Sequence, residues 1–504
     1  MGGNAERLAA LADRLLLAGQ PQAAAIHLRQ AAEQAEHPAP LRLRLGTLLL
    51  RLDRAQEAEA AYRAALPDPA AWHGLGNALH TQGRHAEALA AYRTAIAAQP
   101  DATQPDAAVA RIDAAGAALA LADAATALDL LAPIPDSHQP ALAWRHRAAA
   151  LTLLDRPQEA IAACRRCLEL DPENAEAMLG EATALLALGR YAEGWARYES
   201  RWRMAGDAPA SPWLGQTDPA GRTILLRAEQ GFGDTLQFVR YAPLLRARGA
   251  RVVLAPPPPL LRLLDGLADQ LVPLDAPPPP HDLHAPLMSL PLAFGTTLET
   301  IPAAAYLHAD PALRAAWAAR LGPRRGVLRV GVAWTGDPRT PLGWLRRVPP
   351  DRLLPALAAT GVELHVLHKE IDPADRAMLA GLPGVRCHAA DLSDFAETAA
   401  LVAELDVVVS SCTSVAHLAG GMGRKLLVLL QFSADFRWLR HRSDAVPPTP
   451  PRRLGRRDRR RGGGGRPAMS GRRPPSRYGR CTCGCPRPPA TAPFVQDQAD
   501  TAIP

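Results

Sequence analysis

A pattern of small, aromatic and aliphatic residues recurs about every 34 positions through roughly the first two hundred residues, and it restricts that half of the chain to stacked helix pairs. The third copy shows the pattern most fully, with Trp72, Leu75, Gly76, Leu79, Gly83, Ala88, Tyr92, Ala95 and Pro100. The fifth repeats it with Trp144, Ala148, Leu151, Ala160, Cys164, Cys167 and Pro172, and the sixth with Ala182, Leu185, Gly189, Gly194 and Tyr198. Leu45, Gly46, Leu49, Ala58, Tyr62 and Ala65 carry the second. The first (Leu11, Gly19, Ala24, Leu28) and a fourth, near Gly116 to Leu131, are degenerate. Small residues at the Gly76 and Ala88 positions let the two helices of a unit cross closely, and residues of the Tyr92 type fill the gap to the next unit. Such a unit cannot bury its apolar face alone, so the units stack into a curved solenoid.

This spacing resembles the tetratricopeptide repeat, over roughly residues 5 to 204 and about six units. The resemblance implies a surface for a protein or peptide partner. Cys164 and Cys167 fall at inward-facing repeat positions with no His or Cys pair near them, and are expected to pack, not to bind metal. Residues 205–220 lose helical periodicity and gather Pro, Gly and Asp, which predicts a linker.

The formal charge of +7 resembles a nucleic-acid signal until it is divided along the chain. Residues 441–504 hold 14 Arg and 4 Asp, a net +10, which leaves −3 for residues 1–440. There is no basic, apolar and small-residue leader and no run of about 18 apolar residues, so a cytoplasmic protein without a membrane span is expected. Seven cysteines in 504 residues, four of them scattered, do not make a disulfide framework and fit a reducing compartment.

Past the linker the pattern changes to short apolar strands alternating with helical stretches, the mark of a parallel sheet. Strands are predicted at Thr223 to Arg227, Arg251 to Ala255 and Gln270 to Leu274, and a second series at Leu328 to Trp334, Val362 to Leu367, Asp406 to Ser410 and Leu426 to Leu430. The first strand runs into Gln230-Gly231-Phe232-Gly233-Asp234, a turn in which two glycines let backbone approach a ligand at the carboxyl edge of a sheet. Asp406 to Gly420 repeats the plan, with a buried strand, the hydroxyl cluster Ser410-Ser411-Cys412-Thr413-Ser414 and a helix carrying His417. Two such strand ends predict two facing Rossmann-like domains. The cluster reads as an anion cradle, in which helix-start N–H groups and the Thr413 and Ser414 hydroxyls hold a diphosphate without a metal. His417 lies near enough to donate to a phosphate oxygen. Arg346, Arg347 and Lys369 follow strand ends where cations would neutralise phosphate. A helix cap for Asp234 and solvated loops for the cations are the alternatives.

The segments Ala228 to Asp234, His284 to Pro302, Gly331 to Gly336 and Cys412 to Gly420 resemble bacterial tetratricopeptide proteins whose second half is similar to glycosyltransferase family 9, the heptosyltransferase group. The resemblance implies a GT-B module: an acceptor domain at 221–322 containing the turn Gln230, Gly231 and Gly233, and a nucleotide-sugar domain at 323–444 containing Trp334, Arg346, Lys369, Thr413, Ser414 and His417. It implies an inverting transfer, with no catalytic metal and no cofactor beyond the nucleotide-sugar co-substrate, in which Asp234 is the general base. The acceptor would be a protein or glycan presented by the solenoid at 1–204. The family commonly carries Asp where this chain has Cys412, which argues against ADP-heptose as donor. The alternative is a non-catalytic interaction scaffold with a degenerate GT-B half.

After Asp444 the expected closing strand and helix give way to Arg/Pro/Gly-rich text that includes Cys481-Thr-Cys-Gly-Cys485. Residues 445–504 are therefore expected to be disordered. A shifted reading frame in a GC-rich gene is the preferred origin, and a basic nucleic-acid arm or a metal motif the alternatives.

Overall fold

The computed structural model describes residues 2–205, 209–324, 326–337, 339–340, 342–438 and 494–497. Six helix pairs form the solenoid: Gly2–Leu17 with Pro21–Gln34, Ala39–Arg51 with Ala55–Arg63, Pro69–Thr81 with His85–Ala98, Pro105–Ala120 with Ala124–Leu131, Ala141–Leu153 with Pro157–Leu170, and Ala175–Ala187 with Tyr191–Tyr198. The first and fourth copies, degenerate as sequence, are complete pairs here. The fourth is packed largely by alanine (Ala107, Ala110, Ala114, Ala115, Ala117 and Ala118 are all buried), and alanine leaves no aromatic signature to read.

The small-residue rule has a direct geometric cause. A Cβ on Gly46 would lie 2.7 Å from the Tyr62 ring, one on Gly74 of the next unit 2.2 Å from the same ring, and one on Gly76 2.4 Å from Tyr92. Each tyrosine therefore fills a slot that only glycine leaves open. Before the second helix of four units an Arg pairs with a Glu three residues on: Arg54–Glu57, Arg84–Glu87, Arg156–Glu159 and Arg190–Glu193. These exposed pairs stabilise little individually, but they keep an acid in the first turn, where the helix dipole favours it.

The α/β half contains two sheets. In the first, β1 (Thr223–Arg227), β2 (Arg251–Ala255), β3 (Gln270–Leu271) and β4 (Leu283–Pro286) are parallel in the order β3-β2-β1-β4. In the second, β5 (Arg329–Ala333), β6 (Glu363–Val366), β7 (Val385–Cys387), β8 (Val407–Ser411) and β9 (Leu426–Leu430) are parallel in the order β9-β8-β5-β6-β7. Sequence patterning located all but β4 and β7, which are short and only partly apolar. The strand order reverses between β1 and β4 and again between β5 and β8, and such switch points open a crevice at the carboxyl ends of the strands. The helix Pro311–Leu321, assigned by sequence to the first lobe, packs on the helix Phe395–Ala403 of the second, with Trp317 Nε1 donating to Glu397 at 2.8 Å.

The solenoid is joined to these lobes by a buried seam. Arg201, just past the sixth repeat, donates to both oxygens of Glu229 (2.8 and 2.9 Å), to Glu199 (2.7 Å) and to the Ser289 hydroxyl (2.7 Å). Trp195 meets Phe238 of the first lobe and Phe436 beyond β9 edge-on, each at 5.8 Å, and Tyr198 also meets Phe436. The predicted linker is pinned as well. Trp213 is buried, its backbone N–H donates to the His284 carbonyl at 2.7 Å and its indole to Thr217 at 2.9 Å. Burial of this one large indole fixes the linker against the first lobe despite its Pro/Gly composition.

Of residues 445–504, expected to be disordered, only Phe494–Asp497 is among the described residues. It pairs as β10, antiparallel to β9. The edge of β9 offers the backbone groups with which β10 pairs. The rest of the tail lies outside the described residues.

In every repeat the turn between the two helices contains a residue of positive φ: Gly19, Asp53, Gly83, Ala122, Asp155 and Gly189. Ala122, at φ 56°, has a Cβ and no side-chain oxygen to compensate it. Ala122→Gly is expected to raise stability by about 1 kcal/mol in urea denaturation, and an equal or lower midpoint would contradict the strain.

Candidate functional site

The turn after β1 is held from both sides. Gln230 sits at φ 58°, a conformation costly for a residue with a Cβ, and its side chain donates to the Tyr198 hydroxyl at 3.2 Å. Gly231 then starts the helix Phe232–Phe238, and Asp234 accepts the Gly231 N–H at 3.0 Å. Its other carboxylate oxygen accepts from Arg437 at 2.6 Å. The helix-capping role and a charged tether are therefore both realised at Asp234.

The hydroxyl cluster lies directly opposite. Thr413 caps the helix Ser414–Gly421, accepting from the Val415 N–H at 3.2 Å, and its hydroxyl is 3.0 Å from that of Ser410. A Cβ on Gly233 would stand 2.8 Å from the His417 ring and 3.6 Å from the Ser414 backbone. The second glycine of the turn is thus required by close approach of the two helix starts. The structure brings Gly231, Gly233, Asp234, Thr413, Ser414 and His417 to one place, at the switch-point ends of β1 and β8. Further contacts join the lobes: Arg262 to Asp394 at 2.9 Å, Phe232 to Phe395 at 5.4 Å, and the Tyr306 and Leu307 N–H groups to the Gly421 carbonyl.

The other candidates stand apart from this point in differing degrees. Arg346 bonds the Thr340 hydroxyl at 2.6 Å, and its guanidinium lies over Gly336, 3.7 Å from where a Cβ would be. Trp334 is fully buried beneath the end of β5, with its indole donating to Asp375 at 2.9 Å and its backbone N–H to His368 at 2.9 Å. It orders the strand end and presents no free donor. Arg347 is committed to Asp375, and the Lys369 ammonium to the Ser393 carbonyl at 2.6 Å.

The residues that close the site were missed by sequence reasoning. Beyond β9, Asp435, Phe436, Arg437 and Trp438 fold over the hydroxyl cluster. Trp438 is fully buried, stacks on His417 with 4.9 Å between ring centres, and donates to Cys412 Sγ at 3.0 Å. Arg437 also binds Asp435 at 2.9 Å. Their available signal was two aromatics and two opposite charges within four residues past a buried strand, where a loop would ordinarily be polar.

Electrostatics follow from this burial. Desolvation pushes the His417 imidazole down to about 4, which keeps it neutral, and pushes the Cys412 thiol up to about 11. Burial opposes the charge on Arg437, but Asp234 and Asp435 outweigh it and hold the guanidinium firmly protonated. Burial likewise works against the Asp435 carboxylate, and Arg437 keeps it below the usual range. Within the cluster the Ser411 hydroxyl and His417 Nδ1 are buried without a protein partner. In the solenoid, burial raises the Cys164 thiol to about 12, as expected of a packing residue. Among the described residues no group of three or more His, Cys, Asp or Glu is arranged to hold a metal ion, and no helix is long and apolar enough to cross a membrane.

Comparison with known proteins supports the repeat assignment. Models of the tetratricopeptide repeat match residues 69–102 and 141–174. The chain contains tetratricopeptide repeats, followed by a parallel-sheet α/β region. Protein FlbA of Caulobacter vibrioides is 26% identical over 450 residues, covering 80% of this chain and 73% of that protein. Among solved structures, a tetratricopeptide repeat protein from Parabacteroides merdae is 16% identical, covering 42% of this chain and 82% of its own, with a TM-score of 0.35. One from Thermus thermophilus is 23% identical, covering 34% and 92%, with a TM-score of 0.28.

His417 and His365, a fully buried imidazole on β6 that burial depresses to about 3, bind protons more readily in the unfolded chain. Their folded values lie below the unfolded value near 6.5, so stability is complete above about pH 6.5 and falls as pH drops below it. Between pH 6.5 and 5 each contributes a loss of about 2 kcal/mol. His417→Gln is expected to flatten this slope in urea titrations at pH 7.5 and 5.0, and an unchanged slope would place the proton uptake elsewhere.

Proposed function

We propose that this chain is a cytoplasmic partner-binding protein, in which the tetratricopeptide solenoid takes a protein or peptide and the α/β half serves as a rigid base for it. The observation that carries this reading is the state of Asp234. Both of its oxygens are occupied, one by its own helix start and one by Arg437, so the group acts as a tether between lobes. Thr413 and Trp334 are similarly committed to protein partners. A carboxylate with both oxygens engaged and a cap hydroxyl held by its own helix recognise little until those partners leave.

A second reading is favoured by one observation, the meeting of the Asp234 turn with the Thr413–His417 turn beside two buried atoms that lack partners, Ser411 Oγ and His417 Nδ1. In that reading the α/β half is a GT-B glycosyltransferase of the family 9 type. It would transfer a sugar from a nucleotide-sugar, with inversion and without a catalytic metal, to a protein or glycan held by the solenoid. Asp234 would take the proton of the acceptor hydroxyl as its oxygen attacks the anomeric carbon. Thr413, Ser414 and Arg346 would hold the diphosphate, and Arg437 would first have to release Asp234.

Calorimetry with UDP-, GDP-, ADP- and CMP-sugars separates the two. The scaffold reading expects no saturable binding up to about 1 mM, together with micromolar binding of a subset of peptides from an array. Saturable nucleotide-sugar binding that loses roughly 1 to 3 kcal/mol on combined Thr413→Ala and Ser414→Ala substitution would establish the transferase reading instead, as would turnover that Asp234→Asn lowers about 100-fold.

A further inference from the structure

The segment beyond β9 touches three bodies within eight residues. The Ser433 hydroxyl donates to the Thr152 carbonyl at 2.6 Å, at the end of the first helix of the fifth repeat. Phe432 beside it is a large apolar side chain, 66% exposed. Phe436 is wedged between Trp195 and Tyr198 of the sixth repeat, Arg437 binds Asp234 of the first lobe, and Trp438 lies on His417 and Cys412 of the second. The sixth repeat meets the first lobe at the equivalent turn, where a Cβ on Gly189 would lie 3.0 Å from Leu298. The turn edge of the last two repeats therefore rests on the α/β half.

A solenoid of stacked units bends by small rotations between neighbours, because each unit contacts only the next. Trp195 is held against Phe238 of the first lobe, so bending between the fifth and sixth repeats moves Thr152 relative to Trp195 and the lobes. Those two points are where the segment is anchored on the solenoid side. Its short length leaves little slack: Ser433 and Arg437 are four residues apart, which spans at most about 14 Å.

We infer that residues 431–438 form a strap that transmits movement of the last two repeats to the Asp234–Arg437 contact between the lobes, so that a protein partner bending the solenoid shifts that contact between made and broken. The inference goes beyond the proposed partner binding, on which only the identity of the trigger rests. Coupling itself is a property of the chain alone and is reciprocal: loosening either anchor loosens the other.

Hydrogen exchange of the full chain tests this without a partner. The Gly231 amide, held by Asp234, reports on the lobe contact, and the Asp155 amide, held by the Thr152 carbonyl at 3.0 Å, reports on the repeat end. Ser433→Ala, a mild change at a half-buried position, is expected to speed exchange in the peptide spanning 229–236 by about 3- to 10-fold, and Arg437→Gln to speed exchange around residue 155 by a similar factor. If Ser433→Ala alters exchange near its own position and leaves 229–236 within about two-fold of the parent, the strap does not couple the two and the inference is overturned. Should Arg437→Gln fail to fold, Ser433→Ala alone decides the matter. Failure of peptide binding would bear on the proposed function and not on this result.

Discussion

The guanidinium of Arg201 is the interaction on which the arrangement of the two halves depends. Its side chain is 5% exposed and sits between Glu199, from the end of the solenoid, and Glu229, from the turn after β1. Burial opposes its charge, while Glu229 and Glu199 more than restore it, so the group stays protonated. Glu229 in turn accepts the Met288 N–H at 3.1 Å, which ties the end of β1 to the segment after β4 across the first switch point. A buried ion pair contributes modest net stability. Removing one partner leaves the others uncompensated, at a cost of about 3 to 5 kcal/mol. Arg201 therefore specifies geometry more than it stabilises: it fixes the angle at which the solenoid meets the sheet, and through Gln230 and Tyr198 the conformation of the turn that carries Asp234.

From this seam the remaining contacts follow in sequence. Trp195 and Tyr198 supply an aromatic surface continuous with the sixth repeat, and Phe436 closes on it. That places Arg437 within reach of Asp234 and Trp438 over His417. The buried core is accordingly continuous from Ala182 of the last repeat through both sheets to Trp438. Domains that could have been beads on a linker behave as one body.

Much of this was legible in the sequence where a local rule governs it. The repeat period marked the solenoid because Tyr62 and Tyr92 require glycine opposite them, and strand boundaries at Thr223 to Arg227 and Arg251 to Ala255 fell where predicted because buried parallel strands are uninterrupted apolar runs. Two similar strand ends suggested facing lobes, but the close approach of Gly233 to His417 was not among the sequence's signals. What was illegible depends on long-range partners. Nothing local distinguishes Arg201 from its neighbours Arg197 and Arg203. Trp213 lies in Pro/Gly text that suggests a connector, and Arg437 pairs with a carboxylate 203 residues away. Lys369 was singled out by position after a strand and Trp334 by the family resemblance, and neither reveals whether a polar group faces the crevice or is already bonded beneath it.

The central claim is that the solenoid and the α/β half form one cooperative body through the Arg201 seam. Cysteines on either side provide a direct readout: the buried Cys164 and Cys167 in the fifth repeat, and the half-buried Cys412 just past β8. Thiol labelling against urea, resolved by mass spectrometry, should show all three becoming reactive over the same concentration range in the parent chain. In Arg201→Met the repeat cysteines and Cys412 should separate into two transitions. Two transitions already present in the parent, or a single one retained in Arg201→Met, would contradict the account.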